Sequence, residues 1–260
     1  CAAIVQACHE AGIPAGVVNF VTGNSGMIAR HLIASPIVRK VSVTGSVPVG
    51  KEILRLAADG VKRVSMELGG HGPVLVFGDV DARAVAETCA ATKFRNCGQV
   101  CISPSRFYVH ESNYEAFAQR FAEVARGLKL GSGLEEGVQM GPMANARGLA
   151  HIQDLAADAV EQGAELLAGG RRPEGINRGY FFEPTVLGRV PDSARVMQEE
   201  PFGPIAPITS FSSYDEVIER ANALPFGLAG YVFSNDLTTA TRAWEDLECG
   251  MVGVNEMLLA

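Results

Sequence analysis

VSVTGSVPVGKE, residues 41–52, reads as a strand, a glycine-bounded turn and the start of a helix. At such a junction the free N–H groups and the helix dipole favour a phosphate. The spacing G-x-x-x-x-G-K of a phosphate-binding loop is met from Gly45 to Lys51. Glu52, however, stands where a magnesium-binding hydroxyl belongs, and a carboxylate there would repel the phosphates, which argues against an ATPase. With no G-x-G-x-x-G at this turn, a dinucleotide pyrophosphate and an ordinary strand-to-helix turn both stay open.

Outward from this unit, short β-branched runs alternate with helical spacing. VVNFV (17–21), VRKVSVTG (38–45) and VKRVSMEL (61–68) precede PVLVF (73–77), RFYVH (106–110), ELLA (165–168) and GYVF (230–233). Such alternation predicts an α/β fold with parallel strands and helical crossovers. Ser112 with Glu115, and Ser213 with Glu216, have the spacing of capping boxes. Tyr114, Phe117, Phe121 and Val124 form one apolar stripe before Gly127; Leu149, Ile152, Ala156, Ala159 and Val160 form another, ending at Gly163. Residues 128–148 and 169–204 are rich in Gly and Pro and read as long irregular loops, where function tends to concentrate. Three glycines in ELGGHGP (67–73) mark a boundary, giving expected domains 1–68 and 69–260.

The 260 residues are 47% hydrophobic and 20% charged, ample for a packed core. A net charge of -7 without any Lys/Arg run argues against nucleic acid or an anionic membrane surface as partner. No apolar stretch has membrane-spanning length, and the first residues lack the order of a secretion signal, so a cytoplasmic setting is expected. Six cysteines, at 1, 8, 89, 97, 101 and 249, are too sparse and irregular for a disulfide scaffold. The chain begins at Cys1 without a methionine and stops shortly after MVGVN, and reads as a piece of a longer protein.

Five histidines without close pairing, and a C-x-x-x-C without a second pair, make a metal site unexpected. TGNSG (22–26) puts its serine one place off a hydrolase elbow. What remains is the thiol. Cys89 shares a helical face with Val85, Thr88 and Thr92 and reads as core, as do Cys8 and Cys249. In FRNCGQVC (94–101), Cys101 follows Gly98 and Gln99 where the helix has run out, so its sulfur can face a cleft. Spacing alone leaves it between nucleophile and small buried residue, whereas Cys97, one turn earlier, reads as packing. A thiol that forms an acyl-enzyme needs a base to activate water for release. Glu67, at a strand end before Gly69 and Gly70, is a candidate, with a plain surface carboxylate as the alternative.

MELGGHGP, FRNCGQVC, EEPFGPI and LPFGLAGYVFS, in this order, resemble the aldehyde dehydrogenase superfamily across nearly the whole chain. Glu67 lies 34 residues before Cys101, the separation of that family's base and nucleophile. The resemblance implies a Rossmann-like cofactor domain followed by an α/β catalytic domain. It implies Cys101 as the nucleophile attacking the aldehyde carbon, with its own N–H helping to hold the oxyanion. Glu67 would activate the hydrolytic water, which favours hydrolysis over transfer to coenzyme A. Thr44, Gly45 and Ser46 resemble the pyrophosphate turn, Leu68 a further cofactor contact, and Glu200 with Phe202 the pair that grips the nicotinamide ribose and packs the ring. The implied cofactor is NAD or NADP, and the implied reaction is oxidation of an aldehyde to a carboxylate.

Within that superfamily, KFRN before the nucleophile and GMVGVNE near the end are most similar to succinate semialdehyde dehydrogenases and other ω-carboxy semialdehyde enzymes. Arg95, six residues before Cys101, matches their carboxylate-binding arginine; an arginine tied to a nearby carboxylate or loop carbonyl is the plain alternative. Two departures stand against this. Ala260 occupies the place of a substrate-binding serine, and a second arginine would lie upstream of Cys1. Position 103 is Ser rather than the second thiol of a C-x-C, so oxidative switching of that type is not expected. The resemblance also implies an upstream part bearing the oxyanion asparagine and the residues that read the adenosine ribose, and a homo-oligomeric parent, dimer or tetramer. A cofactor-independent thiol esterase and an inactive fragment with an open sheet edge are the competing classes.

Overall fold

The computed structural model describes residues 1–259 and divides into two compact units, the first Cys1–Leu68 and the second starting at Gly69. In the first unit the order is α1 (Ala2–Glu10), α2 (Ser25–Ala34), β1 (Lys40–Thr44), α3 (Val47–Ala58) and β2 (Arg63–Glu67). β1 and β2 pair in parallel through α3, with Val41 opposite Val64 and Thr44 opposite Glu67. Pro48 lies in the first turn of α3, where its missing N–H leaves no helix bond unmade. The core of this unit is small, built on Ile33, Ile53 and Ala57. Apolar residues elsewhere in it face outward, Ile4 at 68% and Val17 at 66% exposure among them. The strand expected at 17–21 does not form. Among the described residues no strand runs beside it, and a β-branched run without a ladder gains nothing from being extended.

The second unit holds β3 (Gly72–Val76), α4 (Ala82–Phe94), β4 (Pro104–His110), α5 (Tyr114–Gly127), α6 (Ala146–Glu161), β5 (Glu165–Ala168), β6 (Thr185–Gly188), α7 (Arg195–Gln198), β7 (Ile205–Phe211), α8 (Tyr214–Asn222), β8 (Ala229–Phe233), α9 (Leu237–Asp246) and β9 (Met251–Val254). Its strands form one sheet in the order β5-β6-β7-β4-β3-β8-β9. Every neighbour is parallel except the β5–β6 pair. β3 is buried along its whole length, as a strand covered on both faces must be. Phe94, Phe107, Phe117 and Phe121 lock α4, β4 and α5 together, with the Phe107 and Phe121 rings 5.0 Å apart in a T-shaped contact.

From β3 the chain steps to β4, continues to the edge strand β5, returns inward through β6 and β7, and then crosses to β8 on the other side of β3. At this reversal, beyond the carboxyl ends of β3 and β8, Asp79 Oδ2 accepts from Ser234 Oγ at 2.9 Å and from the Asn235 and Asp236 N–H groups at 2.7 Å each. In open α/β sheets such a reversal is where ligands bind. Here the chain's own carboxylate takes the amides that an anion would use.

Several local expectations are corrected. The stretch 169–204 is not all loop, since it contains β6 and α7. Asn113 precedes α5 without a side-chain cap, because Ser112 Oγ engages His110 Nδ1 at 2.8 Å and Glu115 pairs with Arg189. Ser213 does cap α8, but the Glu216 carboxylate returns to the Ser212 N–H rather than to that of Ser213. Val160 is 45% exposed, at the edge of its stripe. Cys8 and Cys249 are half-buried rather than core, whereas Cys89 is wholly buried. No helix among the described residues is long and apolar enough to cross a membrane.

Candidate active site

In the first unit the strand-to-helix turn is assembled with the end of β2. The Gly45 N–H donates to the Glu67 carbonyl at 2.9 Å, so the backbones of turn and strand end are joined. Ser46 stands at the N-cap of α3 without a side-chain cap bond, and Thr44 and Ser46 are exposed. The first N–H groups of a helix have no partner within it, so this start offers donors to an anion, and a dinucleotide pyrophosphate fits it. Leu68 closes over Gly50, where a β-carbon would come within 2.6 Å of Leu68 Cδ2. Glu67 is exposed, and among the described residues its carboxylate makes no hydrogen bond or ion pair.

In the second unit the residues gather at the amino ends of β3, β4 and β7, which are neighbours in the sheet. Gly69 and Gly70 precede β3, Cys101 precedes β4, and Glu200 and Phe202 precede β7. Gly70 is where they meet. Its N–H donates to Glu200 Oε1 at 3.2 Å, and a β-carbon on it would lie 2.6 Å from the Cys101 carbonyl oxygen. Gly69 is equally crowded, with Glu200 Oε2 only 2.1 Å from where its β-carbon would be. Burial pushes the half-buried Glu200 carboxyl up, opposed by the Gly70 N–H and the Lys93 charge.

The thiol turn owes its shape to a change of hand. After α4, Asn96, Cys97 and Gly98 have φ of 50°, 57° and 68°. A left-handed non-glycine residue costs about 1 kcal/mol or more. The turn drives Cys97 into the core, 1% exposed, with its Sγ 3.7 Å from Met143 Sδ. Burial pushes the Cys97 thiol up to about 12, which leaves it protonated and inert. Four residues on, Cys101 is free and half-buried at the end of the turn.

Arg95 is exposed, and among the described residues it forms neither a hydrogen bond nor an ion pair, so the tie to a carboxylate or loop carbonyl is not seen. It borders a narrow cleft with Ile102, Tyr231 and Leu259. Tyr231 hydroxyl donates to the Ile102 carbonyl, and burial pushes its phenol up to about 12 against the opposing Arg95 charge. Phe202 has φ of 45° and is 44% exposed. Ala260 lies outside the described residues. Among those described, no three His, Cys, Asp or Glu side chains gather as metal ligands would.

Two residues here escape a pattern search. Lys93, 1% exposed, is lowered by burial to about 7, with Cys97 and Glu200 opposing, and its Nζ reaches Ser103 Oγ at 3.5 Å. Gln99 accepts the Ala144 N–H at 2.9 Å. A lysine in the last turn of an otherwise apolar helix end was the available signal for the first; the second had none.

The Aldehyde dehydrogenase family matches residues 1–259. The chain belongs to this family. Among aldehyde dehydrogenases it is 48% identical over 258 residues to the 3-sulfolactaldehyde dehydrogenase of Pseudomonas putida, covering 99% of this chain and 53% of that protein. It is 41% identical to the NADP(+) succinate-semialdehyde dehydrogenase of Escherichia coli K12, with the same coverage of both chains. Its fold superposes on the succinate-semialdehyde dehydrogenase of Burkholderia pseudomallei with a TM-score of 0.96 at 41% identity, covering 99% of this chain and 53% of that one. The chain spans about half the length of the relatives it matches.

Proposed function

We propose that this chain is part of an enzyme that oxidises an aldehyde bearing a remote anionic group to the carboxylic acid, with NAD or NADP as hydride acceptor. The observation that carries the proposal is the thiol turn: Cys97 is buried and protonated, while Cys101 lies free at the amino end of β4. Cys101 Sγ adds to the aldehyde carbon, and its backbone N–H helps hold the resulting oxyanion. When bound, NAD or NADP would supply the hydride acceptor, and loss of that hydride would leave Cys101 carrying the acyl group as a thioester. Glu67 takes a proton from water, whose oxygen attacks the thioester and releases the acid and the thiol.

Thr44, Gly45 and Ser46 would hold the pyrophosphate at the start of α3, with Leu68 shaping the turn through Gly50. Glu200 would accept hydrogen bonds from the nicotinamide ribose hydroxyls, and the exposed ring of Phe202 would pack on the nicotinamide. Arg95, unpaired among the described residues, meets the far anionic group of the substrate. The relatives' names support that substrate class, since a sulfolactaldehyde carries a sulfonate and a semialdehyde a carboxylate beside the aldehyde. The complete enzyme is a homo-oligomer, dimer or tetramer, in the cytoplasm.

Limited alkylation with iodoacetamide, mapped by mass spectrometry with and without NAD and NADP, tests the proposal. Cys101 is expected to react first and to change rate when nucleotide is added. Equal labelling of the exposed Cys1 and of Cys101, with no nucleotide effect, would sink it.

A further inference from the structure

The left-handed run Asn96–Gly98 has a hand that L residues avoid, so surrounding contacts must hold it. Inside the turn, Asn96 Nδ2 donates to the Gln99 carbonyl at 2.9 Å. The Gln99 N–H and its side-chain amide return to the Asn96 carbonyl at 3.1 and 3.3 Å. The same side chain also reaches outside the turn, where Gln99 Oε1 accepts the Ala144 N–H at 2.9 Å. Ala144 adjoins Met143, whose sulfur meets Cys97 at 3.7 Å. The segment before α6 therefore grips the turn twice, at a sulfur and at an amide.

On the far side Gly98 lies against the Gly203 backbone, where a β-carbon would fall 2.1 Å from the Gly203 carbonyl oxygen. That contact limits how far the turn can move but supplies no bond. Gln99, two residues before Cys101, ties the turn to the segment before α6 by an N–H···O bond, beside the weaker sulfur contact of Cys97 with Met143.

We propose that Gln99 is the positioning residue of the thiol turn: its amide, joining the Asn96 carbonyl to the Ala144 N–H, holds the left-handed run that buries Cys97 and presents Cys101. The functional meaning of this role rests on Cys101 being the nucleophile proposed above. An amide suits the task because it donates at one end and accepts at the other. A glutamate keeps the acceptor for Ala144 and loses the donor; an alanine loses both.

Three cysteines report on this separately in the full chain. Cys89, wholly buried on α4, reacts when the second unit opens as a whole; Cys97 reacts when the turn lets go; Cys101 reads the presented thiol. Rates of iodoacetamide alkylation at each, followed by mass spectrometry, are compared in the unsubstituted chain, Gln99→Ala and Gln99→Glu. Gln99→Ala is expected to raise the Cys97 rate relative to Cys89 by at least roughly fivefold to tenfold, the size that losing the Ala144 bond alone gives, and to move the Cys101 rate as well. Gln99→Glu should restore most of the Cys97 protection.

An unchanged ratio of Cys97 to Cys89 in Gln99→Ala overturns the proposal, as does a parallel rise of both, which marks general destabilisation. A glutamate variant as open as the alanine variant overturns the bond to Ala144 as the holding contact. If Cys101 of the unsubstituted chain reacts no faster than Cys1 while the ratio still shifts, Gln99 holds the turn and the nucleophile assignment is what falls.

Discussion

Glu200 Oε1 accepts the Gly70 N–H at 3.2 Å, a bond that spans 130 residues of sequence and ties the segment before β7 to the segment before β3. Gly69 leaves the room for it, since a β-carbon there would sit 2.1 Å from Glu200 Oε2. Gly69→Ala should therefore displace the flexible end of Glu200 and destabilise the chain by about 0.5–1.5 kcal/mol, the net worth of the Gly70 bond it breaks. A melting-temperature shift given by NADP in the parent, as the proposed function expects, should vanish in this variant. A full nucleotide shift in Gly69→Ala would show that this fit does not place Glu200.

Lys93 gives a pH dependence with a defined sign. Its folded-state value near 7 lies below the ordinary 10.5, so between those limits the unfolded chain binds the extra proton and stability rises with pH. Lys93→Met removes this contribution. The variant should be more stable than the parent at pH 7, by on the order of a few kcal/mol, and the gap should close as pH approaches 10. Denaturant melts of both chains across pH 7 to 10 read the difference; a constant gap would contradict it.

Arg95 is exposed and unpaired among the described residues, so Arg95→Ala should change stability by less than about 0.5 kcal/mol. Its effect should appear with ligand. A short dicarboxylate or alkanesulfonate that slows alkylation of Cys101 in the parent should lose that protection in the variant. Equal protection in both chains would remove Arg95 from the substrate site.

Asp79→Ala strands the Asn235 N–H and takes one of two partners from the Asp236 N–H and the Ser234 hydroxyl, which keep their bonds to each other's residue. Because the carboxylate is partly exposed, water replaces some of what is lost, and the expected cost is about 1–2 kcal/mol. Chemical denaturation measures it, and a change below about 0.5 kcal/mol would mean that water serves these groups as well.

The α/β alternation was legible because the strands from Lys40 to His110 are short, β-branched and bounded by helical spacing. β7 was hidden by Pro207, which lacks the N–H that a central strand donates, although its position opposite Leu187 in a parallel ladder tolerates it. VVNFV shows the reverse error: strand composition without a strand, because pairing is a tertiary event. At the site, the motifs singled out Cys101 and Glu200, which the fold sets before the neighbouring strands β4 and β7. Lys93 and Gln99 were not singled out, since what distinguishes them is burial and a bond to a distant loop rather than residue type. The split between Cys97 and Cys101 came from a turn of reversed hand, which neither periodicity nor composition announces.

The sheet of the second unit has two ends with opposite characters. Cys101 and Glu200 lie at the amino end, while Asp79 keeps the carboxyl end satisfied from within. The exposed tips at that end, at Ser112 and Ser212, are therefore natural handles. A chain tethered to a surface or carrying a fluorophore through either serine would leave its thiol face turned to solution.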